Sequence, residues 1–283
     1  MPLPSVDNTY TTVPLRGKKS ALYRRYLQLE DDRSSWRSHW QEITDYITPR
    51  RGRYLIESQN SKGRKRTTKI IDSTGTQAMR TMAAGLMSGM TSPARPWHRR
   101  KVRDDLMDDG EVRSWLAQVE HTERSILHKS NFYNSIHTVY TELGSFGTAP
   151  LYRQPSFDNV IRFRPFTAGE YVIAENDLGE VDTLGRHFTM TVGQIIQKFV
   201  HSEDGAMDWK GVSKATKKLW DDGNYDARVE VVHFIEPRLM ADREYGKKDG
   251  KNMPFKSCYF ELSSESDEFL MESGYNKFPA YVP

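Results

Sequence analysis

The spacing of apolar residues changes period once along this chain, near residue 148, and that change restricts the folds open to it. Before it, apolar side chains recur every three or four residues, the repeat of one helix face. Leu22, Tyr26, Leu29, Trp36, Trp40, Ile43 and Ile47 form such a stripe, with Arg33 in the one missing slot. It predicts a single helix of about seven turns, stopped by Pro49. The stripe fits core packing or a coiled-coil seam, and tryptophans in two consecutive seam positions, Trp36 and Trp40, are bulky for a seam. Val112, Trp115, Leu116 and Val119 share a second face, opened by Asp108 or Asp109. Phe132, Ile136, Tyr140 and Leu143 share a third, with Asn131 as cap and Gly144 and Gly147 as its end.

From Ala149 the segments shorten and alternate, as antiparallel strands do. Val160 to Phe166, Tyr171 to Ala174 and Val181 to Phe188 are examples, and Arg228 to Glu236 is the strongest, stopped by Pro237. Thr191 is placed to cap a short helix, a second short helix covers 212–220, and a hairpin closes the pattern at 258–272. The fold class is therefore α+β, with long helices in the N-terminal half and antiparallel strands with short helices in the C-terminal half. Three regions follow: an extended arm over 1–17, a mainly helical region over 18–148, and an α+β region over 149–283.

Composition removes several function classes. No run approaches the roughly 18 apolar residues of a membrane span, and 1–13 lacks the basic start and apolar run of a signal peptide. The single Cys258 excludes an intramolecular disulfide framework and a cysteine-rich metal site, which makes a reducing compartment the expectation. Mean hydropathy is -0.72, polar for a compact enzyme, while 11% aromatics argue against general disorder.

Net charge is only +3, but its distribution is uneven. Arg50, Arg51, Arg53, Lys62, Arg64, Lys65, Arg66 and Lys69 stand in a loop or hairpin over 50–69 against the single acid Glu57. Such a run is a solvated loop, a phosphate contact or a contact for an acidic protein surface. A second basic group follows at Arg95, Arg99, Arg100, Lys101 and Arg103.

Between these lies a helix of unusual composition, opened by Asp72, Ser73 or Thr74 and running to about Met90. Gly75, Ala78, Ala83, Ala84, Gly85, Ser88 and Gly89 alternate there with Met79, Met82, Leu86, Met87 and Met90. A helical glycine costs about 1 kcal/mol relative to alanine, so Gly85 and Gly89 are expected to face another backbone. Pro93 and Pro96 end the helix, Arg95 lies between them, and Trp97 is expected to anchor the turn by burial.

Catalytic spacing is missing. The sequence contains no phosphate-binding loop, no GxGxxG, no HExxH and no GxSxG. Adjacent acids such as Asp104-Asp105 point about 100° apart on a helix and make no metal pair by themselves. The expectation is a protein with no catalytic residues, no cofactor and no metal.

The stretch Ala83-Ala84-Gly85-Leu86-Met87-Ser88-Gly89-Met90-Thr91-Ser92-Pro93-Ala94-Arg95-Pro96-Trp97 closely resembles the small-residue helix and TSPxRPW turn of head-to-tail connector, or portal, proteins of T7-like short-tailed bacteriophages. Other segments resemble that family in the same order: Ser145 to Ala149, Thr191-Val192-Gly193-Gln194, Val231 to Arg238, and Glu272-Ser273-Gly274-Tyr275 with Phe278-Pro279. Family members are nearly twice this length, so the resemblance implies an N-terminal part, with a wing-like body, of a chain that continues.

It further implies a structural ring, commonly of twelve subunits, at one capsid vertex. Double-stranded DNA would pass through it during packaging and ejection, driven by a separate terminase. A tail adaptor, capsid and scaffolding proteins would be its partners, the virion its location after assembly in the host cytoplasm, with no membrane involved. Two other readings stay open on the residues: a nucleic-acid-binding protein using 50–69, or a phage nuclease with a split site.

Overall fold

The computed structural model describes residues 17–49, 65, 67–200, 202–203, 206–244, 246–247, 249–264 and 267–283. The arm expected over 1–17 lies outside them except for Gly17, which is the first residue of a helix rather than part of an extended arm. Contacts divide the chain into two compact units, one built from 1–34 and 171–278, the other from 35–170 and 279–283. The α+β expectation holds, with helices concentrated in the N-terminal half and antiparallel strands in the C-terminal half.

The helix expected over 22–47 is two helices. Helix α1 (Gly17–Asp32) ends in an acidic pair, a 3-10 turn covers Ser34–Trp36, and α2 (Arg37–Tyr46) follows. Asp31 and Asp32 sit at the negative end of the α1 dipole with no basic residue in the last turn to offset them. Ser34 and Ser35 then favour local hydrogen bonding over helix continuation. Trp36, read as part of a buried stripe, is 57% exposed.

In the first unit, β3 (Tyr171–Glu175), β4 (Val181–Thr191), β7 (Arg228–Pro237), β8 (Phe255–Glu261) and β9 (Met271–Tyr275) form one antiparallel sheet in that order. Strand alternation sends neighbouring residues of β7 into two different cores. Val232 and Phe234 join Leu22 and Tyr26 of α1, with Val172, Cys258 and Phe260. Val229 and Val231 join Val192, Ile195, Ile196 and Phe199 of α7 (Val192–Phe199), with Tyr259 and Leu270. The sheet is therefore covered on both faces.

Helix α7 starts as its sequence predicts, with a capping box in which Thr191 and Gln194 exchange side-chain and backbone hydrogen bonds. Helix α8 (Lys214–Asp221) is capped by Ser213. Strands β5 (Ser202–Glu203) and β6 (Ala206–Met207) form a separate short pair.

Polar groups fix α1 on its sheet. Glu236, 6% exposed, receives an ion pair from Arg25 and another from Lys256 at 2.5 Å. Arg25 also donates to Thr183 Oγ1 at 3.3 Å. Lys19 is fully buried and its ammonium reaches Ser264 Oγ at 3.4 Å; burial pulls its pKa below the usual lysine value. Glu261 is equally buried and accepts from Thr216 Oγ1 at 2.9 Å. Burial pushes its carboxyl up, against hydrogen bonds from Ser213 and Thr216 and the Lys19 charge.

The second unit packs α2, α3 (Thr74–Met90), α4 (Asp104–Met107), α5 (Gly110–Lys129) and α6 (Phe132–Phe146) with a small sheet. That sheet has the order β10 (Ala280–Tyr281), β1 (Leu151–Ser156), β2 (Val160–Pro165). Its core holds Phe132, Val139, Ala149, Leu151 and Phe163. Asn131 precedes α6 as expected, but its side chain caps nothing. It donates to Phe163 O at 2.7 Å and accepts from Phe163 N at 2.8 Å, so an amide side chain acts as a rung joining helix to strand. Gly147, at φ 79°, ends α6 in the left-handed conformation that glycine adopts without penalty.

Two outcomes follow from this packing. A carboxyl whose folded pKa exceeds its unfolded value stabilises below the unfolded pKa and loses that contribution as pH rises toward the folded one. Glu261→Gln removes the loss, so the variant should gain on the parent as pH rises from about 4 to about 8, read from denaturation midpoints. A difference that stays constant across that range would contradict a buried, proton-favouring Glu261. At Gly274 a Cβ would run into the carbonyl oxygen of Gly250 and lie 2.7 Å from that of Phe255. Gly274→Ala should therefore cost about 1–3 kcal/mol by chemical denaturation, and an unchanged midpoint would rule out this account of the glycine.

Candidate functional site

Of the eight cations expected to make a partner contact, Arg50, Arg51, Arg53, Lys62, Arg64 and Arg66 lie outside the described residues. Lys65 is exposed. Lys69 turns back onto α2, donating to Asp45 Oδ2 at 2.6 Å, and that hydrogen bond raises its pKa. Gln41 holds the other oxygen of Asp45 at 2.8 Å. The far end of the basic segment is thus pinned to the helix that precedes it.

Three cations of the second basic group, Arg100, Lys101 and Arg103, are locally neutralised. Arg100 makes a two-point contact with Glu123, at 2.9 Å and 2.5 Å, and its backbone N–H donates to Glu120 at 2.6 Å. The Arg100 hydrogen bonds hold the Glu123 carboxyl below its usual value. Lys101 pairs with Asp104 at 2.5 Å and Arg103 with Asp105 at 2.9 Å. These charges serve α4 and α5 before they serve any partner.

The second set of predicted residues, Gly85, Gly89, Pro93, Arg95, Pro96 and Trp97, surrounds the end of α3. The helix opens with Asp72, whose Oδ1 accepts from Thr74 N at 2.8 Å, a bond that lowers the Asp72 pKa. It closes with a cationic cap: Arg95 donates to Ser88 O at 2.7 Å and Gly89 O at 3.4 Å, where the helix dipole favours positive charge. The turn through Pro93 and Pro96 supplies the reversal that brings Arg95 back over that last turn.

Beyond Arg95 the turn is fastened to α6. Thr91 Oγ1 and Tyr140 OH are 3.0 Å apart and buried. Trp97 stacks on Phe132 with ring centroids 5.8 Å apart and donates from Nε1 to Tyr133 OH at 3.3 Å. Trp97 is half-buried rather than buried. Its indole edge must stay near the Tyr133 hydroxyl, and the ring rests on the margin of the core instead of inside it.

Within this chain the close approach expected at Gly85 and Gly89 lies elsewhere. Outside their own helix turn, no described residue comes within 4 Å of a Cβ built on Gly85 or Gly89. The close approach between α3 and α6 occurs at Gly144, where a Cβ would run into Met82 Cε and lie 3.0 Å from Met79 Sδ. Gly144 lies inside α6 and gives room to the methionines of α3. The sequence signal was present in the Met79/Met82 pair, but the glycine facing it is 62 residues downstream of Met82 in the numbering.

Other conspicuous groups have structural partners. His233 is 3% exposed, lies 2.9 Å from Ser257 Oγ through Nε2, and stacks on Tyr259 at 3.8 Å. Burial pushes the Cys258 thiol up to about 12, which makes it a poor nucleophile near neutral pH. Asp109 caps α5 by accepting from Glu111 N at 2.7 Å. Among the described residues no three His, Cys, Asp or Glu side chains converge as metal ligands.

The turn yields a test of its role. Trp97→Ala removes a stacked ring and a hydrogen bond and should cost about 2–4 kcal/mol, at or below the usual range for a core tryptophan because the ring is half-buried. Arg95→Ala should cost less and act on α3 alone, visible as faster amide exchange over 86–90. A Trp97→Ala protein that melts with the parent would remove the turn from the fold's supports.

Comparison with known proteins places these features in context. Residues 19–283 match the sequence pattern of the family described as bacteriophage head to tail connecting protein. The "Probable portal protein" of Bordetella phage BPP-1 is 43% identical over 267 residues, which is 94% of this chain and 46% of that relative. The "Portal protein" of Salmonella phage epsilon15 is 41% identical over the same shares of each chain. This chain thus spans about half the length of the curated relatives it matches. With the capped α3, its two-proline turn and the order of the later motifs all inside the matched span, the chain belongs to the bacteriophage head-to-tail connecting, or portal, protein family.

Proposed function

We propose that this chain is part of a phage portal subunit, a structural and non-catalytic component that assembles as a ring of twelve at one capsid vertex. The ring forms the channel for packaging and ejection of double-stranded DNA and the attachment point for the tail. The observation that carries this reading is the near-complete match of the chain to portal proteins. The non-catalytic part is supported by how its reactive groups are used: Cys258 is a buried thiol, Asp109 is a helix cap, and Asp104 and Asp105 are in ion pairs.

Its partners in this reading are further copies of itself, the tail adaptor, capsid and scaffolding proteins, the terminase and the DNA in transit. Its place is the virion after assembly in the host cytoplasm. No helix among the described residues is long and apolar enough to cross a membrane. Near-neutral charge suits a sliding channel, because each strong phosphate contact adds a salt-dependent barrier to every step.

The basic segment, Arg50 through Lys69, serves in this proposal as a peripheral protein contact. Five of its eight cations are arginines, which pair with carboxylates in two-point geometry. The nucleic-acid-binding reading makes the same residues a phosphate contact. Electron microscopy of the purified subunit should show a closed ring, and a uniform monomer would sink the proposal. Joint replacement Arg64→Ala, Lys65→Ala and Arg66→Ala should weaken assembly or adaptor docking while leaving DNA retention unchanged. A flattened salt dependence of DNA retention, with assembly intact, would instead assign the segment to DNA.

A further inference from the structure

Resting on the ring reading above, we propose that the tip of the β1–β2 hairpin is a docking finger that seats Phe157 against the Leu106–Trp115 surface of a second copy of this chain. The tip is built against the rules for a solvent turn. Phe157 is fully exposed, and Val160 is 64% exposed at φ 64°. Val160 is β-branched, the residue class least suited to positive φ, and the chain there closes with Ile161 N–H donating to Asn159 O at 2.6 Å, the i→i+2 bond of a γ-turn. Glycine or asparagine would make this turn more cheaply. Neither apolar side chain belongs to an apolar cluster among the described residues, so the unit does not use them for folding.

Positive charge stands two to four residue pairs behind the tip. Arg153, Arg162 and Arg164 are exposed on the two strands, against the single acid Asp158. An exposed aromatic side chain with arginines set back from it on both strands matches the anatomy of interface anchors, in which a polar rim excludes water from a buried ring. Such a rim selects an apolar partner surface edged by carboxylates.

This chain carries that surface in the same unit. Residues 104–111 hold five carboxylates and no base. Leu106 is 42% exposed and Trp115 59% exposed beside them. Asp109 is committed to its cap, while Asp104 and Asp105 sit in exposed ion pairs of the kind that exchange partners at little cost. Asp108 and Glu111 are exposed. Finger and counter-surface are both open to solvent, so they do not satisfy one another within one chain. As two different patches they join copies head to tail, and a head-to-tail contact closes into a ring when its rotation permits. DNA is the poorer occupant, because an aromatic wedge acts on DNA by unstacking and kinking it, which opposes sliding.

The test uses the intact subunit. Phe157→Ser should raise the concentration for half-assembly about ten-fold or more. Arg162→Glu and Asp108→Arg should each weaken assembly and restore it when mixed in one chain. Phe157→Cys with Trp115→Cys, joined by a short bis-maleimide, should give a ladder of crosslinked oligomers, since the native Cys258 is buried. Should Phe157→Ser misfold by circular dichroism, the charge exchange and the crosslink decide the matter. A parent that forms rings while the variants assemble at the parent's concentration and give no ladder overturns the finger and leaves the ring reading intact. A parent that stays monomeric overturns both. Reduced DNA retention with unchanged assembly also overturns it, in favour of a DNA contact.

Discussion

Strand β7 is covered on both faces, and the first unit is organised by that constraint. A strand buried on one side needs one partner layer; β7 needs two, because Val232 and Phe234 face one core while Val229 and Val231 face the other. Helix α1 supplies one layer and α7 the other, although 138 residues separate the end of α1 at Asp32 from the start of β3 at Tyr171. The core on the α1 face of the sheet closes only when the two chain segments of this unit, 1–34 and 171–278, come together. Loop closure over such a separation grows only slowly in cost with length, and the apolar area on both faces of β7 outweighs it. Charge then fixes the docking angle of α1, since Glu236 takes Arg25 and Lys256 at once.

The segments that mark the family are places where backbone geometry leaves little choice. Thr191 and Gln194 form a reciprocal cap. Gly147 occupies a left-handed helix end. Gly274 is pressed against two carbonyl oxygens. Arg238 at the end of β7 pairs with Glu272 at 2.9 Å, so two of the motif segments are in direct contact. The two-proline turn at 93–96 does the same for α3 by returning Arg95 to its last carbonyls. These roles concern folding and fixed shape, which is what a subunit of the proposed ring would have to reproduce.

How far the sequence could be read follows from the range of each interaction. Caps and turn residues act within four positions, so Thr191, Asp109 and Gly147 were legible. The strong alternation of 228–236 also located β7. Long-range choices were not legible. Asn131 has the composition of a cap, and only its placement opposite Phe163 shows that it bridges to a strand. The stripe from Leu22 to Ile47 keeps its period through Trp36, but periodicity carries no information on the unfavourable acidic end at Asp32. Gly85 and Gly89 stood out by composition, whereas the glycine that admits a neighbour is Gly144, because it faces two methionines from another helix.

The near-neutral total hides a division of charge that matters for contact between copies. The window 50–69 carries eight cations and one acid, a net of seven positive charges, and the whole chain carries +3, so the remainder is net −4. Screening limits electrostatic reach to about 8 Å at physiological ionic strength. A neighbouring surface therefore responds to whichever window it approaches, not to the sum. In the ring proposed above, two copies meeting window to window would repel, while the window against an acidic stretch such as 104–111 would attract, and that difference would favour heterologous over isologous pairing. Within the second unit the same logic operates on a smaller scale, with arginines beside the β1–β2 tip and carboxylates over 104–111. Under the proposed ring, a chain with its charge divided in this way would meet its own kind front to back.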